Sequence, residues 1–567
     1  NPISGATVVL AATGSGNTLT QPVGTTNSSG VATGTLSSTA ATPKTVSATA
    51  NGTGITQTQV VTVNPAAASG ATSTATVPSS GTAGTATTIS VQARDQFGNT
   101  VTVGGATVVV TVTGANAATP AVTDNGNGTY STSYTPTNAG PDNIAITLNS
   151  AAVAGSPFTS TVSGTGTVSP SLSTVAVSPS TITASSGTSQ STITVTVKDQ
   201  FGNPISGATV VLAATGSGNT LTQPVGTTNS SGVATGTLSS TAATPKTVSA
   251  TANGTGITQT QVVTVNPAAA SGATSTATVP TTGTAGTATN ITVQARDQFG
   301  NTVTVGGAAV VVTVTGANAA TPAVTDNGNG TYSTSYTPTN AGPDNIAITL
   351  NSVAVAGSPF TSTVGSSGTV SPSLSTVAVS PGTITASSGS SQSTITVTVK
   401  DQFGNPIGGA TVVLAATPTT GNTLTQPVGT TNASGVATGT LSSTSATPKT
   451  VSATANSVGI TQTQGVTVNP DLVDPTQSTA VVPAGTAAVQ TTITIQAKDQ
   501  FGNNLTSGGA TVVVTITGTN PGSAVVVDNL DGTYTATYTP ASAGSDTIDI
   551  TINSTAIQGS PFTSVVN

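Results

Sequence analysis

A 202-residue text is repeated along this chain, and a chain written that way folds as a series of small units rather than around one core. NPISGATVVL at Asn1 returns at Asn203 and, as NPIGGATVVL, at Asn405. ARDQFGN at Ala93 returns at Ala295 and, as AKDQFGN, at Ala497. The third copy gains one residue near Pro418 and loses it again before Ile493. Within each period DQFGN occurs twice, at Asp95, Asp199, Asp297, Asp401 and Asp499, with steps of 104 and 98 residues in alternation. Each period therefore holds two modules of about 100 residues, and they differ from each other.

The modules read as β-sheet. STITVTVKD places Ile193, Val195 and Val197 on one face and Thr192, Thr194, Thr196 and Lys198 on the other, the period of a half-buried strand. GATVVLAAT, GVATGTLSST, KTVSATA and ITQTQVVTV follow, separated by Gly, Pro, Asn and Ser turns. ISVQARD alternates in the same way in the other module, at Ile89, Val91 and Ala93. Only 4% of residues are charged and Glu is absent, which argues against surface helices. The expected fold class is all-β, with tandem sandwiches of immunoglobulin size.

Two family resemblances sharpen this. VTVKDQFGNPISGATVVL, then TTNSSGVATGTLSS, then PKTVSATANG resembles the bacterial Ig-like repeat of the invasin and intimin family. DNGNGTYSTSYTPTNAGPDNIAITLNSAAVAGSPFTSTV resembles the second half of a filamin-type Ig repeat, with its GTYxxxYTP segment and the GSPF at Gly155–Phe158. Tyr130, Thr132 and Tyr134 share one strand face, and all six tyrosines of the chain sit at this pair of positions. The expected order is an invasin-type domain over 1–66 without its first strands, then filamin-type 67–163, invasin-type 164–268, filamin-type 269–365, invasin-type 366–470 and filamin-type 471–567. The stretch missing before Asn1 corresponds to residues 164–202, which open an invasin-type module. The expectation is a window on a longer repetitive protein, with strand donation by a neighbouring chain as the other reading.

DQFGN is expected to close an early strand: Asp accepts backbone N–H bonds, Gly supplies a positive φ, and Asn tolerates the left-handed region. Its Phe is expected to plug the core of its own module, which otherwise has few aromatics.

Chemistry finds little to use. The chain has no His, Cys or Glu, which removes the usual general bases, thiol nucleophiles and zinc ligands. Lys198 and Lys246 lack the context of a Ser–Lys pair, so no catalytic residue is expected and the protein is read as no enzyme. No cofactor is expected. Calcium at Asp95, Asp124, Asp142, Asp471 or Asp474 is the one alternative, and turn capping is the preferred account of these residues. A Lys198–Asn isopeptide is disfavoured, since Lys198 and Asp199 point to opposite faces. The sequons at Asn27, Asn51, Asn127, Asn253 and Asn290 are what Thr-rich sequence produces by chance. Eight unclustered basic residues do not suit nucleic acid, and no run of 18 apolar residues offers a membrane span.

Alternation of unlike neighbours limits strand exchange between identical modules. The expected object is a semi-rigid, secreted or surface-displayed fibre, sheath or stalk whose nearly uncharged surface suits self-association with identical chains. The runner-up is the stalk of an adhesin whose binding domain lies elsewhere. A third class, an accessory module of an extracellular enzyme, lacks an aromatic platform for sugar, since Trp is absent.

Overall fold

Burial follows the alternation read from the sequence. In the strand Ser191–Thr196, Ile193 and Val195 are fully buried while Thr192 faces water. Fully burying such a β-branched side chain is worth roughly 1.5–3 kcal/mol. The protein is described here by a computed structural model covering residues 1–567, all of it strand, turn and loop apart from two single-turn 3-10 segments. It divides into two units, Asn1–Ala268 and Ala269–Asn567.

In the first unit, residues 164–268 form two facing sheets. One runs in the order Thr174–Ser178, Ser191–Thr196, Val233–Ser240, Asn219–Thr222. The other runs Thr181–Thr183, Gln261–Asn266, Lys246–Ala252, Val210–Ala214. Pairing is antiparallel except between Thr181–Thr183 and Gln261–Asn266, where the first strand has crossed to the opposite sheet. Residues 67–163 repeat the plan, with Thr87–Gln92 and Thr129–Tyr134 central in one sheet and Gly140–Leu148 central in the other. Their core holds Ile89, Val91, Tyr130, Ile144, Ile146 and Leu148.

Residues 1–66 keep only part of this: Val8–Ala12 with Lys44–Ala50, and a separate pair Asn17–Thr20 with Thr35–Ser38. Nothing corresponds to the strands Thr174–Ser178, Thr181–Thr183 and Ser191–Thr196. Val61 is accordingly 41% exposed, where its counterpart Val263 is at 0%.

In the second unit, residues 269–365, 366–470 and 471–567 each form a two-sheet sandwich around a core of their own. Residues 471–567 add a short strand, Gly522–Ser523, on the edge of Val512–Gly518.

One free edge in each invasin-type module is capped at a leucine by a side chain. Leu212 N–H donates to Gln223 Oε1 at 2.8 Å, and Gln223 Nε2 donates to the Leu212 carbonyl at 2.9 Å. Gln21 does the same for Leu10, and Gln426 for Leu414. An amide placed this way takes the hydrogen bonds that another strand would otherwise make.

Candidate functional site at the domain joints

The feature common to both module types is DQFGN, and the fold shows what it fastens. Asp199 is fully buried, and its Oδ1 accepts the N–H groups of Phe201 and Asn203, both at 2.9 Å. Gly202 completes the turn at φ +88, with its N–H on the Asp199 carbonyl. The Asp and Gly roles are the expected ones, but Asn203 does not enter the left-handed region expected of it, and its side chain is what the turn uses. The other oxygen, Oδ2, accepts the Thr165 N–H of the incoming linker at 3.0 Å and the Asn203 side-chain amide at 3.1 Å.

That second pair of bonds aims Asn203 out of its own module. Its Nδ2 donates to the Thr137 carbonyl at 2.8 Å, and its Oδ1 accepts the Ala139 N–H at 2.7 Å. Thr137 and Ala139 belong to the preceding domain, so one side chain makes a two-point clasp across the joint. The clasp recurs with the same geometry. Asn99 holds the Thr39 carbonyl and the Ala41 N–H, at 2.7 and 2.9 Å. Asn405 holds those of Thr339 and Ala341, both at 2.7 Å. Asn503 holds those of Thr444 and Ala446, at 2.8 and 2.9 Å.

The Phe also crosses the joint, which corrects its expected role as a plug for its own core. A methyl built on Gly84 of the preceding domain would lie 2.8 Å from Phe201 Cζ, well inside van der Waals contact. Phe403 covers Gly286 in the same way, and Phe501 packs against the core of residues 366–470. At these three joints the aromatic serves the boundary between modules, whereas Phe97, next to the incomplete residues 1–66, is 52% exposed.

Each docking loop is braced from behind. In the filamin-type domain, Asn116 Oδ1 accepts the N–H groups of Thr137 and Asn138, both at 2.9 Å. Buried Asp142 in turn accepts the Asn116 main-chain N–H at 2.8 Å and the Tyr134 hydroxyl at 2.8 Å. In the second unit, burial together with Asp344 pushes the Tyr336 hydroxyl up to about 12. In the invasin-type domain a buried lysine does this work. Lys44 Nζ donates to the Ser15 carbonyl and to Thr42 Oγ1, both at 2.9 Å, beside the loop that Asn99 clasps. Lys449 holds the Thr420 carbonyl at 2.8 Å, and burial lowers its pKa.

Burial alone would raise the Asp199 pKa. The Thr165 N–H, the Asn203 amide and the N–H groups of Asn203 and Phe201 more than offset this and hold the carboxyl below its usual range. Asp401 has the corresponding donors, led by the Ser367 N–H, and is lowered likewise.

The acidic residues weighed for calcium do not converge on one point. Asp95 sits in a joint, Asp124 accepts the Gly105 and Gly126 N–H groups in a hairpin, and Asp142 braces a docking loop. Asp471 accepts from the Gln500 side chain, and Asp474 caps the short segment Pro475–Gln477. Lys198 is half-buried beside Asp199, and Lys246 is fully buried at the start of Lys246–Ala252, holding the Ser217 carbonyl. Among the sequons, Asn51 and Asn253 occupy turns with φ of 45° and 47°.

Reading the sequence missed the asparagine clasp. Its signal was there: DQFGN is shared by modules of two families, and the loops it holds read Thr-x-Ala at Thr39–Ala41, Thr137–Ala139, Thr339–Ala341 and Thr444–Ala446.

Family models agree with this alternation. The model described as Filamin/ABP280 repeat matches residues 43–159, 268–361 and 472–563. The chain belongs to the filamin-repeat family. Between those matches the model described as Invasin, domain 3 covers residues 169–268 and 371–471, so the filamin-type repeats alternate with invasin-type ones. A curated relative, the E3 ubiquitin-protein ligase TRIM45 of Bos taurus, is 38% identical over 73 residues, 12% of this chain and 13% of that protein. The match thus spans a small part of that relative. Among solved structures, the Escherichia coli adhesin FdeC is 25% identical, with 53% of this chain and 99% of that chain covered at a TM-score of 0.36. Invasin, a bacterial integrin-binding protein, is 20% identical over 70% of this chain and 79% of its own, also at 0.36. The surface layer protein SbsC, domains 1-6, is 17% identical over 87% and 66%, at 0.21.

Proposed function

We propose that this chain is a non-catalytic structural segment of a secreted or surface-displayed protein, a spacer in a stalk, sheath or fibre whose length is set by repeat number. The asparagine clasp carries the reading. Within each unit a module brings its own fastening to the module before it, so a repeat can be added without designing a new joint. The match to an invasin domain supports a cell-surface address. No step of this role calls for a cofactor.

Self-association with an identical chain is part of the proposal, through sheet faces more than through the invasin-type edges that Gln21, Gln223 and Gln426 cap. A second reading, an adhesin stalk that itself makes weak contacts, draws on one observation. Val23, Val225 and Val428 stand 98–99% exposed on the QPVGTT loops. Such points could act together by avidity.

The test is electron microscopy of the full chain beside a chain lacking Asn203–Gly404, one whole period. The expected outcome is particles shortened by about a third, with domains still folded. Equal dimensions for the two chains would end the spacer reading. Replacing Val23, Val225 and Val428 by Ser tests the second reading, which expects weaker retention on a target surface.

A further inference from the structure

The outer end of residues 471–567 differs from the ends of the two other filamin-type domains at the place where a neighbour docks. In those domains the Gly84 and Gly286 N–H groups donate to the Pro136 and Pro338 carbonyls, each at 2.7 Å, with φ of +79 and +81. The next module lays Phe201 or Phe403 over that glycine. In residues 471–567 the same bond runs from Ala488 N–H to the Pro540 carbonyl at 2.8 Å, and Ala488 holds φ 62. The frame is thus retained while the residue has changed.

Three observations give the change a direction. An alanine in the left-handed region costs about 1 kcal/mol or more over glycine, so nothing within the domain's own backbone favours it. Its methyl crowds the rim of the space that the ring takes in the other copies, where a Cβ on Gly84 would stand 2.8 Å from Phe201 Cζ and one on Gly286 2.8 Å from Phe403 Cζ. Beside it Val489, 55% exposed, replaces Thr85 and Thr287, and the loop after Pro540 reads Ala541–Ser542–Ala543, with Ala541 where the clasped loops carry Thr. The support behind that loop is intact: Asn520 Oδ1 accepts the N–H groups of Ala541 and Ser542, both at 2.8 Å, and Asn520 donates to Asp546. The main chain that a clasp would hold is kept, and the aromatic site is narrowed.

We infer that this end face fits a neighbouring protein domain that carries Gly, Ala or Ser where DQFGN carries Phe, and that it is not shaped for another DQFGN module. The contact would be made to the methyl groups of Ala488 and Val489, and the loop main chain at Ala541 and Ala543 would remain available for a side-chain amide. The inference holds whatever larger structure the chain serves.

The experiment appends a copy of residues 164–268 after Asn567 of the full chain and follows hydrogen exchange by fragment-resolved mass spectrometry. Folding of the appended module is checked by protection of its own Ile193–Val197 strand. The readout is the Ala543 N–H, compared with the clasped N–H groups of Ala139 and Ala341 in the same molecule. The expected result is exchange at Ala543 faster on the order of tenfold, the loss of one hydrogen bond. Protection should return with Ala488→Gly, or when the appended copy carries Phe201→Ala. Protection at Ala543 equal to that at Ala341 without either change would overturn the inference. So would faster exchange that neither substitution reverses, because the size of that single contact would then not govern docking.

Discussion

At the scale of single residues, Asp199 and Asn203 divide one task. The aspartate fixes the turn, the linker and the asparagine's amide, and the asparagine spends what remains of its hydrogen-bonding capacity on the preceding domain. Asn203→Ala leaves the Thr137 carbonyl and the Ala139 N–H without their partner, at a cost of about 1–3 kcal/mol to the joint. The check is faster exchange of the Ala139 N–H in the full chain, with the circular dichroism of the sheets unchanged. The aspartate adds a pH dependence whose sign can be worked out. Its carboxyl titrates near 4 in the unfolded chain and lower in the fold. Between those values the unfolded state binds more protons, so stability rises with pH through that window. The contribution is complete above about 4 and is lost as pH falls through the folded value. Protection of the Thr165, Phe201 and Asn203 N–H groups should decline over that acid range, and Asp199→Asn should lower it at neutral pH and remove the decline. An unchanged acid profile in Asp199→Asn would show that another group titrates.

Among the elements, the strands were legible because a period of two is a local property: Ile193, Val195 and Val197 are fully buried, as their spacing demands. The Asx turn was legible for the same reason, since Asp199 reaches only as far as Asn203. Less local features were hidden. Gln223 closes an edge by bonding to a residue eleven positions away, and nothing in QPVGTT distinguishes it from any surface glutamine. Phe201 and Asn203 were assigned to their own module because strand patterning carries no information about the neighbouring one. The edge glutamines make a prediction at this scale. In a chain with few charges to repel a second edge, removing the caps exposes unpaired N–H and C=O groups. Gln21→Ala, Gln223→Ala and Gln426→Ala together should add edge pairing, seen as a steeper rise of mass with concentration than the parent shows, by light scattering after size exclusion. Adding lysines at Val9, Val211 and Val413, the outward positions next to Leu10, Leu212 and Leu414, should reverse it. A concentration dependence equal to the parent's in the triple variant would mean the caps do not guard against pairing.

For the whole molecule, what matters is that the fastenings between domains are amide and main-chain bonds instead of exposed ion pairs. The net charge of −7 is spread over 567 residues, so little long-range repulsion acts between modules. Salt should therefore leave the domain arrangement alone. Small-angle scattering at about 0.05 M and about 1 M salt, where the Debye length falls from above 10 Å to about 3 Å, is expected to give the same distance distribution. Replacing Asn99, Asn203, Asn405 and Asn503 by Ala acts on the clasps themselves. The quadruple variant should keep its strand content and the sharp distances within each domain, while the distances between neighbouring domains broaden. These two outcomes separate the competing sources of order. If short, Pro-containing linkers alone set the geometry, the quadruple variant will scatter as the parent does. If surface electrostatics set it, salt will move the parent. Broadening in the variant with no response to salt in the parent is the result that assigns the order within each unit to Asn99, Asn203, Asn405 and Asn503.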